Sequence, residues 1–152
     1  MSLTKRPGVG FGVMVVRNGQ VLLGRRHADP TKADSELHGE GTWTIPGGKL
    51  EFGEGLEIGV VREAQEEAGI VIPPESLRLI SISNDMVPDA HFLTLGFITE
   101  KFEGEPKVME PDEITEWHWF DILKLPSPMY FPSVRVIQNY LSKTLYHPDH
   151  HR

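Results

Sequence analysis

GKLEFGEGLEIGVVREAQEEAGI, residues 48–70, is the stretch on which the reading of this chain turns. Gly48, Gly53 and Gly55 break its first third, so it opens as a loop in which the backbone turns sharply and comes close to other groups. The pattern then predicts a helix over 57–68, with Gly69 placed for a left-handed cap. Residues three and four apart share a helix face, so Glu63, Glu66 and Glu67 stand together, with Glu57 one turn earlier. Like charges at this spacing cost about 0.2–0.5 kcal/mol per pair, and Arg62 is placed to answer one of them, Glu66 at i+4. Ile58, Val61, Ala64 and Ala68 are expected to form the opposite, packed face. A solvated acidic face is the plain alternative. Against it stand the glycine-rich lead-in and the chemistry of the cluster, hard oxygen donors of the kind a divalent cation takes with waters retained.

Outward from this helix the chain reads mostly as strands. Val9–Val16 and Val21–Leu23 flank Asn18-Gly19, a strong short signal for a two-residue hairpin. His27 to Thr42 is expected to be a long polar loop, a length that in compact domains is often functional. Trp43–Ile45 is a short strand stopped by Pro46, and Gly47 to Gly55 a glycine-rich loop. Further strands are expected at Ile70–Ile72, Leu77–Ser83, Phe92–Phe102 and Ile114–Phe120, with a helical turn at Asp121–Leu125. A last helix is expected over Ser133–Leu145, capped by Ser133, with Val134, Ile137 and Leu141 as its core stripe. One central and one terminal helix among many strands predict a mixed sheet with helices packed on it, an α/β or α+β sandwich.

The 152 residues suit a single domain, with a core expected over about 7–146 and a disordered tail at 147–152 that includes His147, His150 and His151. No cysteine is present, which removes disulfides and thiolate metal sites. Fifteen Lys and Arg against 22 Asp and Glu give a formal charge of −7, which argues against nucleic acid polymers and anionic membranes as partners. No stretch is long and apolar enough for a spanning helix, and Met1–Pro7 has no apolar signal-peptide core, so a soluble, cytoplasmic protein is expected. Gly48-Lys49 is not a P-loop, since Trp43 stands where a glycine is needed and Leu50 replaces Ser or Thr. The Gly8 to Gly12 run precedes no helix, so it is not a dinucleotide-binding fingerprint.

Gly48, five residues, Glu54, seven residues, Arg62-Glu63-Ala64, one residue, Glu66-Glu67, one residue, Gly69-Ile70: this series resembles the Nudix box, and every fixed position of the box is met. The resemblance implies an α/β/α sandwich around a central mixed sheet, with the box as a loop-helix-loop. It implies that Glu63, Glu66, Glu67 and the Gly47 carbonyl hold Mg²⁺, with Mn²⁺ as the alternative, that Arg62 orients a glutamate, and that Glu54 pairs with Arg62. Glu110-Pro111-Asp112-Glu113 resembles the loop that supplies a distant acidic ligand or base in the MutT-like branch; Glu113 is the choice, and Glu110 the substitute. The implied reaction is hydrolysis of a diphosphate linkage, with Glu66 or Glu113 as the base.

Val21–Arg26, Pro46–Glu54 and Glu110–Phe120 are similar to the small MutT-like nucleoside triphosphate pyrophosphatases. That similarity implies a (d)NTP, ordinary or oxidised, as substrate, with ADP-ribose or another dinucleotide-like diphosphate as the second reading, and a homodimer as the assembly. Lys49 and Arg26 are candidates to grip phosphate, while strand alternation turns Arg25 away. Trp43, Phe11, Phe92, Trp117 and Trp119 are candidates to stack on a base, and Thr94 to line its pocket; most aromatics on strands are simply core. Selectivity is expected in His27–Thr42 and Asn84–His91. A non-catalytic nucleotide-binding module of the same fold would have lost box glutamates, and a metal-stabilised structural domain would not need Lys49 or the glycine loop.

Overall fold

A nearly unbroken apolar run makes Gly8–Arg17 a strand (β1) buried on both faces, and its partners define the molecule. In the computed structural model, which describes residues 5–33 and 36–148, β1 pairs in parallel with β6 (Ala90–Thr99), from Gly8↔Phe92 to Val15↔Thr99. Its other edge pairs first with β4 (Gly47–Lys49), antiparallel, and then with β2 (Gln20–Arg26). Between β1 and β2, Asn18 and Gly19 have φ of 53° and 75°. Positive φ at both central residues is what a hairpin with right-handed strand twist demands, so the expected turn forms with Arg17 opposite Gln20. β5 (Arg78–Val87) closes one side of the sheet on β6, while β3 (Trp43–Thr44) and β7 (Ile114–Asp121) pair with β2.

A helix covers each face, as an α/β/α sandwich requires. α1 (Leu56–Ala68) packs Val60, Ala64 and Ala68 against Phe11, Val13, Val15, Leu22 and Phe97. α2 (Phe131–Ser142) packs Val136 and Ile137 against Met14, Val16, Val21, Leu23 and Ile98. Odd and even residues of β1 thus feed two separate cores, each buried aliphatic contributing about 1.5–3 kcal/mol. Arg135 on α2 reaches Asp85, a fully buried carboxylate on β5 that also accepts from the Ser83 hydroxyl. This ion pair ties α2 to the outer strand.

Several expected boundaries shift. The packed face of α1 runs through Val60 rather than Ile58, which is exposed, and Glu67 lies on it. Val71 makes one bridge with Glu103 instead of a strand. Asn84–His91, expected as a loop, is mostly the β5–β6 hairpin, paired as far as Val87↔Ala90. Gly47–Lys49, also expected as loop, is strand β4. α2 starts two residues early because Pro132 suits its first turn, so Ser133 is not its cap but a buried residue facing the sheet. On α2 it is Val136, not Leu141, that joins Ile137 in the core. Of the expected tail, His147 stands 3.4 Å from the Ser142 hydroxyl, and His150 and His151 lie outside the described residues. Among the described residues no helix is long and apolar enough to cross a membrane.

Arg135→Ala should leave Asp85 charged and unpaired inside the protein. A loss of about 3 kcal/mol in urea unfolding is expected, with α2 the first element to lose amide protection.

Candidate active site

Glu67 is the centre of the site. It sits on the buried face of α1, 7% exposed, and accepts a hydrogen bond from the Gly47 N–H at 2.9 Å. The indole N–H of Trp117 donates to the main-chain carbonyl of the same residue at 3.2 Å, fixing the helix end beside β7. Burial pushes the Glu67 carboxyl well above the usual range; the Gly47 N–H opposes this, and the charges of Glu63, Glu110 and Glu113 add to it. Burial likewise raises Glu63, against the pull of Arg62, and raises Glu110, which also feels Glu113 and Glu66. Glu63 presses on β4: a Cβ on Gly48 would lie 2.5 Å from the Glu63 carboxyl carbon, so a side chain there would push Glu63 out of its place.

Arg62 holds this acidic corner together. Its Nε donates to Glu54 Oε2 at 2.7 Å and one terminal nitrogen to Glu54 Oε1 at 3.1 Å, the two-pronged pairing a guanidinium makes best. Its other terminal nitrogen reaches Glu63 at 2.8 Å, Glu66 at 3.3 Å and Glu51 at 3.7 Å. Among the helix carboxylates Arg62 was expected to answer Glu66, but Glu63 holds it more closely; the Glu54–Arg62 pair forms as expected. Glu54 is drawn below the usual carboxylate range, first by the Arg62 hydrogen bond and then by the Glu51 N–H. Among the described residues no three acidic side chains converge into a closed metal cage. The donor set nonetheless fits a divalent cation: hard carboxylate oxygens that repel one another and raise one another's affinity for positive charge.

The corner opens into a cavity of about 580 Å³. Glu63, Glu67, Glu113 and Lys49 line one part. Another part is formed by Gly10 and Gly12 of β1, Phe92 and Thr94 of β6, Thr44 of β3 and Ile45 after it, and Pro132, Ser133 and Val136 of α2. Lys49 pairs with Glu36 at 3.3 Å and lies over the Phe92 ring, at the mouth. Arg26 also lines the cavity, but its donors go to the carbonyls of Gly39 at 2.9 Å and Ala33 at 3.1 Å, and it stacks on Tyr130. It ties down the long loop rather than standing ready for phosphate. Arg25 does point elsewhere, toward the Gly41 carbonyl.

Trp43 is not among the cavity residues. It is buried, edge-on to Phe120, within the core under α2. Trp119 stacks on Phe102 with Arg17 above it, and Trp117 packs on the α1 core. Of the five aromatics weighed, Phe11 and Phe92 reach the cavity, together with Tyr130, which sequence reasoning missed. Thr44 and Ser133 were missed as well. A usable signal existed: glycines at 8, 10 and 12 alternate along β1, so the first half of one face of that strand carries no side chains and leaves room for those of Phe92 and Ile45.

His38, at φ 58°, pins the long loop to the β5–β6 turn through Asp89, at 3.0 and 3.1 Å. The Asp89 hydrogen bond raises the His38 pKa above 6.5, and His38 lowers Asp89. A raised histidine stabilises the fold below its unfolded pKa and loses that contribution as pH rises through the folded value. Asp89→Asn should return the His38 titration to about 6.5 by NMR; an unchanged midpoint would sink the latch.

The NUDIX domain family model matches residues 6–140, and the chain belongs to that family. It is 31% identical over 135 residues to an ADP-ribose pyrophosphatase of Methanocaldococcus jannaschii, covering 89% of this chain and 73% of that one. It is 31% identical over 131 residues to an 8-oxo-dGTP diphosphatase of Escherichia coli, covering 85% and 91%. The crystal structure of a MutT NUDIX hydrolase from Burkholderia pseudomallei superposes with a TM-score of 0.78 at 30% identity, over 89% of this chain and 98% of that one. The protein is a Nudix hydrolase of MutT-like kind, and hydrolases of this family generally use divalent metal ions.

Proposed function

We propose that this chain hydrolyses a nucleoside triphosphate, ordinary or oxidised in its base, to a (d)NMP and pyrophosphate, using Mg²⁺, with Mn²⁺ able to replace it. The observation that carries the reading is one cavity joining an acidic corner, Glu63, Glu67 and Glu113, to a chamber lined by apolar residues and hydroxyls. A base and a diphosphate bound end to end need that pairing of surroundings. The name of the Escherichia coli relative supports it. ADP-ribose is the second reading, favoured by the Methanocaldococcus relative. Retention of Glu63, Glu66 and Glu67 speaks against a module that binds without cutting.

Glu63, Glu66, Glu67, Glu113 and the Gly47 carbonyl would hold the cation. When bound, it supplies neutralisation of the diphosphate charge and orientation of a water. Arg62 keeps Glu63 and Glu66 turned to the same corner. Glu113 is the better choice of base: it lines the cavity and has no ion pair among the described residues, whereas Glu66 is engaged by Arg62. The water oxygen bonds to phosphorus, its proton passes to Glu113, and the phosphorus–oxygen bond to the pyrophosphate breaks. Lys49 at the mouth is placed to meet phosphate by exchanging Glu36 for it. Thr94 is placed on the wall that meets the base. A cytoplasmic location and a homodimer belong to the same proposal.

A panel of dNTPs, NTPs, 8-oxo-dGTP and ADP-ribose with Mg²⁺, scored for pyrophosphate and monophosphate, tests this. Pyrophosphate release from a triphosphate is expected; preference for ADP-ribose would replace the substrate class. Glu67→Gln should cut turnover at least about a hundredfold while the protein stays folded. Glu113→Gln should cost more in kcat than Glu66→Gln, and the reverse order would move the base to Glu66.

A further inference from the structure

The α2 side of the cavity carries three buried hydroxyl side chains, Thr44, Thr94 and Ser133. Two of them are coupled. Thr44 Oγ1 and Ser133 Oγ lie 2.8 Å apart, and either can donate. Thr44 Oγ1 is also 2.9 Å from the Ile45 carbonyl, which it can donate to, and Ser133 Oγ accepts from the Ile45 N–H at 3.2 Å. A hydroxyl has one hydrogen and two lone pairs, so two arrangements are open to this set, the second at the expense of the bond to the Ile45 carbonyl. In the first, Thr44 donates to the Ile45 carbonyl and Ser133 donates to Thr44; Ser133 then keeps one lone pair for the cavity. In the second, Thr44 donates to Ser133, both Ser133 lone pairs are filled, and its hydrogen turns to the cavity. Rotation of two C–O bonds converts one into the other with no heavy atom moved.

We infer that the Thr44–Ser133 pair reads the ring edge of the base in either sense, so this chain accepts a carbonyl or an amino group at that edge. The inference rests on the nucleotide reading above. Ser133 is the specificity residue, and Thr44 is a positioning residue that acts through it. A carboxylate or an arginine in this place would select one sense; a lone serine would leave its hydrogen unsatisfied whenever it accepted. The paired hydroxyls remove that penalty, because Thr44 takes the hydrogen that the base does not.

The test compares kcat/KM for dATP and dITP, which differ at position 6 and in the proton on the adjacent ring nitrogen. Wild type should turn over both within about tenfold of each other. Thr44→Val keeps the shape but removes the relay, so Ser133 has no partner for its hydrogen when it accepts from an amino group. The dATP/dITP ratio should fall by about tenfold, the cost of one unmade buried hydrogen bond. Thr44→Ser should restore the wild-type ratio, and a melting curve confirms that each variant is folded. A wild-type preference beyond tenfold, or an unchanged ratio in Thr44→Val, overturns the inference and leaves the hydrolase reading standing. Turnover of neither triphosphate overturns both.

Discussion

Four carboxylates, Glu51, Glu54, Glu63 and Glu66, meet on one guanidinium. Without Arg62 the acidic face of α1 would repel itself, and its buried partner Glu67 would face that charge with only the Gly47 N–H to help. The constraint shapes what surrounds it. Glu54 must come from the loop before the helix, so the loop folds back on α1, which is why the chain between β4 and α1 carries glycines. β4 must be narrow, because Glu63 occupies the space where a Gly48 side chain would lie.

The acidic corner and the hydroxyl-lined chamber belong to opposite faces of the sheet. Glu63 and Glu67 come from the helix on one face, whereas Ser133 comes from the helix on the other. They share a cavity because β4 is three residues long and leaves an edge to reach around. The parallel pairing of β1 with β6 puts Phe92 and Thr94 beside Gly8 and Gly10, which completes the chamber from a distant part of the chain.

The acidic corner was legible because its information is local. A helix repeats at known spacing, so Glu63, Glu66 and Glu67 share a face whatever the rest does, and Glu54 with Arg62 came with the resemblance. The sandwich was legible from the order of apolar strand runs and two helices, and from the Asn18-Gly19 turn. The chamber was not, because which strand lies beside which is set by long-range pairing. Trp43 reads like a stacking ring on a short strand, yet its neighbours across the sheet, on β7, bury it. Arg26 reads as a phosphate ligand until the loop carbonyls of Ala33 and Gly39 are seen to claim it. Ser133 looks like a cap because serine before an apolar stripe usually is one; Pro132 moved the helix start upstream and turned Ser133 to the sheet.

The glycine half of one β1 face, Gly8 to Gly12, separates two histories that a protein of this kind must live through. Strand pairing uses main-chain atoms, so adding a methyl group to that face leaves the ladder intact. At Gly10 a Cβ would meet the Gly48 carbonyl oxygen at 3.4 Å and Phe92 at 3.8 Å, close to ordinary contact, and would take its volume from the chamber alone. At Gly12 the same carbon would press on the buried side chain of Ile45 at 2.7 Å, so a step there must shift that residue as well. Substrate range can therefore drift by a single small step at Gly10, while the helix that carries the glutamates inherits none of the change. A lineage could alter what it binds without relearning how to cut.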